Sequence, residues 1–379
     1  MQEIKKRRIL LASVLKPVDD TRMSEKLGMT LASEYEVSVV GQASSEGTSR
    51  GPIRYISLPA MERLSWHRLV APWRVLSTVF RLRPHVLVVC TSELLPIALC
   101  AKLLLGVRIV YDVQENYALN LKYGSAWPQV IRSVLARAVR FTERCTAWAI
   151  SHYLLSEQSY ADELPFIGKK FTVIENKVVR SNFPNGRPRP TLADGKHGPK
   201  TLLFSGTLAD TTGVFDAIDL TTRLHAIDPG IELLVVGYAS RPDTRARLRE
   251  LAKNRPFIHL EGIDHLVTHQ KIMQAIDKAQ FGLICYPYNA STWTSYPTKL
   301  YEYMGSHLPI LLIDNPRWTL YCAPYKAAVV FPPDAIDVEQ VLAKMNSGQG
   351  FYDKDPADVY WDNEAPKLLR AISSVFGAG

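Results

Sequence analysis

The stretch Ser295-Tyr296-Pro297-Thr298-Lys299-Leu300-Tyr301-Glu302-Tyr303-Met304-Gly305-Ser306-His307-Leu308-Pro309-Ile310 decides how the rest of the chain is read. Pro297 and Thr298 read as a helix start, because proline pre-sets the backbone angle of a first turn whose N–H groups have no partner inside the helix. Leu308 and Pro309 lead into the apolar run Ile310–Ile313, which reads as a strand. Glu302 therefore falls in the first turns of a short helix that precedes a buried strand. A carboxylate there can accept two hydrogen bonds from vicinal hydroxyls such as those of a ribose. Lys299, one turn earlier, can bring positive charge to a diphosphate. As charges alone, such a pair is more often a solvated helix face than a ligand site.

Outward from this segment, short β-rich runs alternate with helix-period segments in both directions. Strands are predicted near 7–14, 36–40, 53–58, 85–90, 108–113, 146–151 and 171–175, with helices over 21–34, 64–82, 94–105 and 127–144. The continuous apolar run Val86-Leu87-Val88-Val89 predicts a parallel sheet covered on both faces. Residues 180–200 are dense in Pro, Gly, Arg and Asn and read as a linker. The alternation then restarts, with strands near 201–206, 231–236, 257–260, 281–286, 309–313 and 327–331. The fold class is α/β, with two doubly wound Rossmann-like domains over 1–180 and 201–350, a linker over 181–200, and a helical tail over 351–379 expected to return to the first domain. Ligands are expected at the C-terminal ends of the strands, in a cleft between the two halves.

The 379 residues carry 47% hydrophobic and 22% charged side chains, which excludes disorder and supports full-sized cores. The net charge of +8 is uneven. Residues 1–190 hold 27 Lys and Arg against 16 Asp and Glu, a net of +11, and the remainder is at −3. Five scattered cysteines without a CxxC or a Cys/His cluster indicate neither a disulfide framework nor a metal, so a reducing cytoplasm is expected. Lys5-Lys6-Arg7-Arg8 followed by an apolar run has the look of a signal peptide. Lys16, Pro17, Asp19 and Asp20 close that run early, and a buried first strand is the better reading. The apolar stretch Leu94–Val107 is interrupted by Lys102 and is too short to span a bilayer.

The first βα turn, Lys16-Pro17-Val18-Asp19-Asp20, has no glycine, so the GxGxxG fingerprint of nicotinamide enzymes is missing, and no Walker lysine motif occurs either. The second half opens differently. Strand Thr201-Leu202-Leu203-Phe204 runs into Ser205-Gly206-Thr207-Leu208, and Thr211-Thr212-Gly213 leads into a helix. Small residues there let backbone amides approach a phosphate, or simply make a tight turn. Gly237 and Tyr238 open the next loop, over 237–243.

The segment 295–310 resembles the donor-site motif of retaining GT-B glycosyltransferases, particularly family 4: Pro297-x-Lys299-Leu300-x-Glu302-Tyr303-Met304, with Pro309 five residues on. That resemblance implies a sugar transferred from a nucleotide-diphosphate sugar, of UDP or GDP type, to an acceptor hydroxyl, with retention and with no metal or other cofactor. Glu302 matches the second of the family's two glutamates, which holds the nucleotide ribose. Thr294 stands where the first is expected. The donor site implied comprises Gly206, Thr207, Thr212, Gly213, Gly237, Tyr238, Thr294, Ser295, Tyr296, Thr298, Lys299, Leu300 and Glu302. The Arg and Lys that usually follow the phosphate-side loop are replaced by Asp210, Thr211 and Thr212, leaving Lys299, backbone amides and a helix dipole to face the diphosphate. On the acceptor side, Asp112-Val113-Gln114-Glu115-Asn116 resembles a D-x-H-E turn with Gln114 in the histidine place. Asp112 and Glu115 are then candidate catalytic residues with Lys299 and Glu302. Glu93, Gln114 and Asn116 are candidate acceptor contacts, and Asp112 as a turn cap is the alternative.

Two basic helices complete the reading: Trp66 to Arg83, and the helix bearing Arg132, Arg137, Arg140 and Arg144. They suit an anionic membrane surface and a peripheral location at its inner face. The alternative is an apolar stripe in the core with arginines on its wet side. The expected acceptor is a cell-surface glycan, glycolipid or lipid-linked oligosaccharide. A sugar-nucleotide epimerase or hydrolase, and a non-catalytic binding subunit, are the other readings, and nucleic acid is not an expected partner because no recognition motif accompanies the charge.

Overall fold

A computed structural model describes residues 6–44, 51–59, 67–123, 128–182, 200–347 and 350–377, with the side chains of 67–69 left aside. Trp66 and most of the expected linker lie outside the described residues. The chain divides into two units, one of Met1–Val179 with Trp361–Gly379, the other of Arg180–Tyr360.

The first unit is built on seven parallel strands: β1 (Arg8–Pro17), β2 (Glu36–Gln42), β3 (Ile53–Leu58), β4 (Val86–Val89), β5 (Arg108–Val113), β6 (Ile150–Leu155) and β7 (Phe171–Val173). They are ordered β3-β2-β1-β4-β5-β6-β7, so the order reverses between β1 and β4. Alternate side chains of β1 feed two cores: Leu10 and Ala12 pack on one face of the sheet, Ile9 and Leu11 on the other. All four residues of β4 are buried, as a central parallel strand requires. A π-helical segment, Thr21–Gly28, and α1 (Met29–Ala32) follow β1, capped by the Asp20 carboxylate, which accepts from the amides of Arg22 (3.1 Å) and Met23 (2.9 Å). Then come α2 (His67–Leu82), α3 (Leu95–Leu105), α4 (Tyr117–Tyr123), α5 (Gln129–Thr146) and α6 (Ser159–Glu163). The strand expected at 146 begins at Ile150, because the Thr146 hydroxyl bonds the Thr142 carbonyl (2.8 Å) and a 3₁₀ turn, Ala147–Ala149, continues the helix.

Helix α2 follows the ordinary pattern, with Ala71, Val75, Leu76 and Val79 buried. Helix α5 inverts it. Its buried residues are Ala136, Glu143 and Thr146, while Val130, Ile131, Val134, Leu135 and Phe141 are exposed. Of its arginines, Arg140 turns inward to the Glu143 carboxylate (2.9 Å) and the Asn116 side-chain oxygen (2.6 Å). Glu143 also accepts from the Tyr111 hydroxyl (3.3 Å). Neither an apolar core stripe nor a row of four outward arginines describes this helix.

The second unit has six parallel strands, β8 (Lys200–Thr207), β9 (Ile231–Tyr238), β10 (Ile258–Glu261), β11 (Phe281–Ile284), β12 (Ile310–Ile313) and β13 (Ala328–Phe331), in the order β10-β9-β8-β11-β12-β13. Helices α7 (Val214–Ile227), α8 (Pro242–Lys253), α9 (His269–Lys278), α10 (Thr298–Gly305), α11 (Pro316–Cys322) and α12 (Val338–Asn346) lie between or after them. The order reverses between β8 and β11, which is where an open α/β sheet binds its ligand. Residues 352–360 stay with this unit, Tyr352 and Tyr360 donating to the carbonyls of Leu308 (2.8 Å) and Gly305 (3.0 Å).

The last helix, α13 (Ala365–Gly377), belongs to the first unit and buries Leu368, Ala371, Ile372, Val375 and Phe376. Glu364, fully buried at its start, is paired with Lys177 and Lys367 (both 2.9 Å). The Trp361 indole donates to the Thr30 hydroxyl (2.8 Å).

Candidate functional site

At the β8/β11 reversal two glycines let backbone segments pack in direct contact, and a third leaves space beside it. Gly213 has φ +78°, and a Cβ there would lie 1.8 Å from the Cys285 carbonyl oxygen. The turn before α7 therefore rests directly on the end of β11. A Cβ on Gly237 would lie 1.8 Å from the Gly206 carbonyl oxygen, whereas the space beside Gly206 itself is empty. The Thr212 hydroxyl is spent within the turn, its one hydrogen in reach of the carbonyl oxygens of Thr207 (2.8 Å) and Ala209 (2.9 Å) while its oxygen accepts from the Ala209 amide (3.1 Å). It staples the loop rather than facing a ligand. Tyr238, beside Gly237 at the end of β9, is half-buried.

Helix α10 starts at Thr298, as Pro297 requires, and its Lys299 points into the protein. The Lys299 ammonium is buried, 3.9 Å from the centre of the Phe204 ring and 5.0 Å from that of Tyr286, and has no hydrogen-bond partner among the described residues. Burial lowers its pKa to about 8, against the opposing pull of Cys285 and Glu302. Burial likewise pushes the Tyr286 hydroxyl and the Cys285 thiol up, so both are neutral. The buried ammonium thus rests against two aromatic rings, with Glu302 acting on it only through space. The first turn of α7 adds an acid instead of a cation. Asp216 accepts its own backbone N–H there, and burial together with Asp219 and Asp210 raises its pKa. The dipole of α7 is therefore partly answered already; the positive charge near it comes from the buried Lys299 and from the exposed Arg247, which pairs with Asp210 (3.3 Å) and lies over the Phe215 ring.

Glu302, one turn beyond Lys299, is partly buried, and its Oε1 lies 3.2 Å from Nε2 of His269 at the start of α9. Nothing in the sequence near His269 marks it, since its partner is 33 residues away. Leu300 is fully buried and serves packing. Thr298 is exposed, and Thr294, Ser295 and Tyr296 are half-buried. Their loop is held from α11: the Trp318 indole donates to the Ser295 carbonyl (2.9 Å), Asn315 donates to that of Trp293 (2.9 Å), and Arg317 lies over the Tyr296 ring.

In the first unit, Asp112 is fully buried and caps no turn. Arg22 grips it through Nε (3.1 and 3.2 Å) and a terminal nitrogen (2.7 Å) while donating to the Ile174 carbonyl (2.9 Å), and Gln114 donates to its second oxygen (2.8 Å). That carboxylate is half of a buried structural ion pair that ties the π-helical segment after β1 to β5 and to the residue following β7. Asn116 is also spent, donating to Glu163 (2.6 Å) and accepting from Arg140. Glu115 accepts from Asn120 (2.9 Å) and is half-buried, and Glu93 is exposed. Of the expected acceptor-side residues, Gln114, Glu115 and Glu93 keep surface to offer.

Two parallel, doubly wound Rossmann-like units in these strand orders constitute the fold of the GT-B glycosyltransferases. Residues 22–168 match the family model described as a glycosyl transferase 4-like domain, which places the recognised family segment in the first unit. Among curated proteins no sequence match is found. The whole chain is similar in structure to a sucrose-phosphate synthase from Thermosynechococcus elongatus, with a TM-score of 0.74 over 99% of this chain and 100% of that one, at 14% identity. It is similar also to a glycosyltransferase from Rickettsia africae (TM-score 0.69, 9% identity, 99% and 100% covered). HepE from Anabaena, in complex with UDP and glucose, gives a TM-score of 0.68 at 13% identity over 97% of this chain and 100% of that one.

Proposed function

We propose that this protein transfers a sugar from a nucleotide-diphosphate sugar to an acceptor hydroxyl, holding the donor in the second unit. The observation that carries the reading is the buried Lys299 ammonium at the β8/β11 reversal, which has no hydrogen-bond partner among the described residues. In this scheme Lys299 binds the diphosphate, amides beside Gly206 and Gly213 complete the cradle, and Glu302, oriented by His269, accepts the ribose hydroxyls. As the glycosidic bond to the diphosphate breaks, charge grows on the departing phosphate, and a buried ammonium gains most there. Retention, a donor of UDP or GDP type, and diphosphate stabilisation without a metal belong to the same proposal. So does an acceptor side in the first unit, with Glu115, Gln114 and Glu93 as its contacts and a glycan or lipid-linked sugar as its substrate. The Anabaena protein of similar fold, which holds UDP and glucose, supports the nucleotide half of the reading.

Calorimetry of the full chain with UDP, GDP, ADP and dTDP tests it. At least one is expected to bind, and Glu302→Ala is expected to weaken that binding by about ten- to a hundredfold, the worth of a charge-assisted pair of hydrogen bonds. Equal affinity in wild type and variant removes Glu302 from the site. Release of nucleotide from a donor sugar in the absence of any acceptor, at the rate seen with one, turns the assignment to a hydrolase or epimerase.

A further inference from the structure

Helix α5 turns its polar arc inward and its apolar arc outward. At about 100° per residue, Val130, Phe141, Val134, Cys145, Ala138, Ile131 and Leu135 fall in one arc of about 140°. Val130 is 75% exposed, Phe141 70% and Val134 57%. The opposite arc is secured by Arg140, Glu143, Asn116 and Tyr111, so the helix is not simply misaligned: its polar side has its partners inside the unit. Trp148 stands exposed just beyond the helix. Helix α3, packed against α5, exposes Leu103 and Leu104 in its last turn, and α2, packed against α3, exposes Trp73 and Phe80. Arg137 and Arg144 are exposed at the edge of the apolar arc of α5, and Arg74 and Arg81 on α2. The four helices α2 to α5 contain a single acid, Glu143, and it is buried and paired. No helix among the described residues is long and apolar enough to cross a membrane.

We infer that this face is a membrane-embedding surface, with α5 lying in the plane of an anionic bilayer. Aliphatic residues and Phe141 enter the acyl boundary, Trp148 and Trp73 sit at headgroup level, and the arginines meet lipid phosphates. Charge complementarity selects this occupant: four exposed arginines on helices whose one acid, Glu143, is buried and paired match an anionic lipid surface, Glu93 in the turn before α3 being the exposed acid nearby, whereas a protein interface of this polarity would need a matching acidic partner. The inference stands on the first unit alone and does not depend on the sugar-transfer reading.

Vesicle co-sedimentation of the full chain tests it, with phosphatidylcholine alone and with added phosphatidylglycerol. Binding to the anionic vesicles is expected, weakened about tenfold or more in the neutral ones. Val134→Asp with Phe141→Asp should abolish it, and Arg137→Glu with Arg144→Glu should remove the preference for anionic lipid. Thermal midpoints should hold, because all four positions are exposed. A blue shift of tryptophan emission on binding should shrink in Trp148→Phe. Absence of vesicle binding overturns the inference. So does a dimer in sedimentation velocity that Val134→Asp with Phe141→Asp dissociates, since the face would then belong to a second copy.

Discussion

Replacing Lys299 by methionine should make the protein more stable and a poorer nucleotide binder at once. The drop in its pKa from 10.5 to about 8 corresponds to a penalty of about 3 kcal/mol for keeping the ammonium charged inside the unit. The ring face of Phe204, 3.9 Å away, returns about 2 kcal/mol of that as a desolvated cation–π contact. Methionine fills a similar volume and keeps sulfur–aromatic contact, so Lys299→Met should gain about 1 kcal/mol at pH 7. The pH dependence has a definite sign. Between about pH 8 and 10.5 the unfolded lysine is protonated and the folded one is not, so stability of the wild type rises with pH through that window. The buried thiols of Cys90 and Cys285, held protonated above their ordinary range, pull the other way from about pH 9. The comparison is therefore wild type minus variant, by urea unfolding from pH 7 to 9: the advantage of the variant should hold near pH 7 and shrink as the pH passes about 8. In calorimetry at pH 7 the variant should lose about ten- to a hundredfold in nucleoside diphosphate affinity, as the loss of a buried charged hydrogen bond implies. A variant that is less stable than wild type and binds nucleotide equally well would refute the argument, because Lys299 would then be a core residue with no anion to meet.

Further outcomes follow from the same geometry. His269→Ala should weaken nucleotide binding several-fold, less than Glu302→Ala, because it frees a carboxylate rather than removing one; equal losses would mean that His269 touches the nucleotide itself. Gly213→Ala places a methyl on the Cys285 carbonyl at a left-handed backbone position, and should lower stability by about 2–4 kcal/mol, read as a fall in thermal midpoint. Asp112→Ala leaves Arg22 buried without its partner and should destabilise the first unit by about 3–5 kcal/mol, with Arg22→Met recovering part of the loss in the double variant. An Asp112→Ala protein of unchanged stability and lost activity would instead return Asp112 to the acceptor side.

The two-unit α/β architecture was legible because its signals are local. A parallel strand buried on both faces is apolar throughout, as at Val86–Val89 and Ile310–Ile313, and a proline at a helix start, as at Pro297, marks a boundary at any tertiary setting. The segment 295–310 was read correctly as helix then strand, although the matched family segment lies at 22–168. The strand expected from 146 was found, but it starts later, at Ile150, because Thr146 looks β-prone and its hydroxyl bond to the preceding turn is invisible in one dimension.

What the sequence by itself determined is therefore the alternation, the run of strands and the residue types available at each strand end. Only the tertiary structure decided which of those residues have spare capacity. Lys299 and Asp112 both read as charged candidates. One is buried with no hydrogen-bond partner among the described residues, while the other is closed off by Arg22 from 90 residues away. Helix α5 makes the same point for surfaces. Its amphipathic pattern is plain in the sequence, but which arc faces inward depends on whether partners for the polar arc exist elsewhere. Asn116 and Tyr111 supply them, and so the apolar arc is left outside.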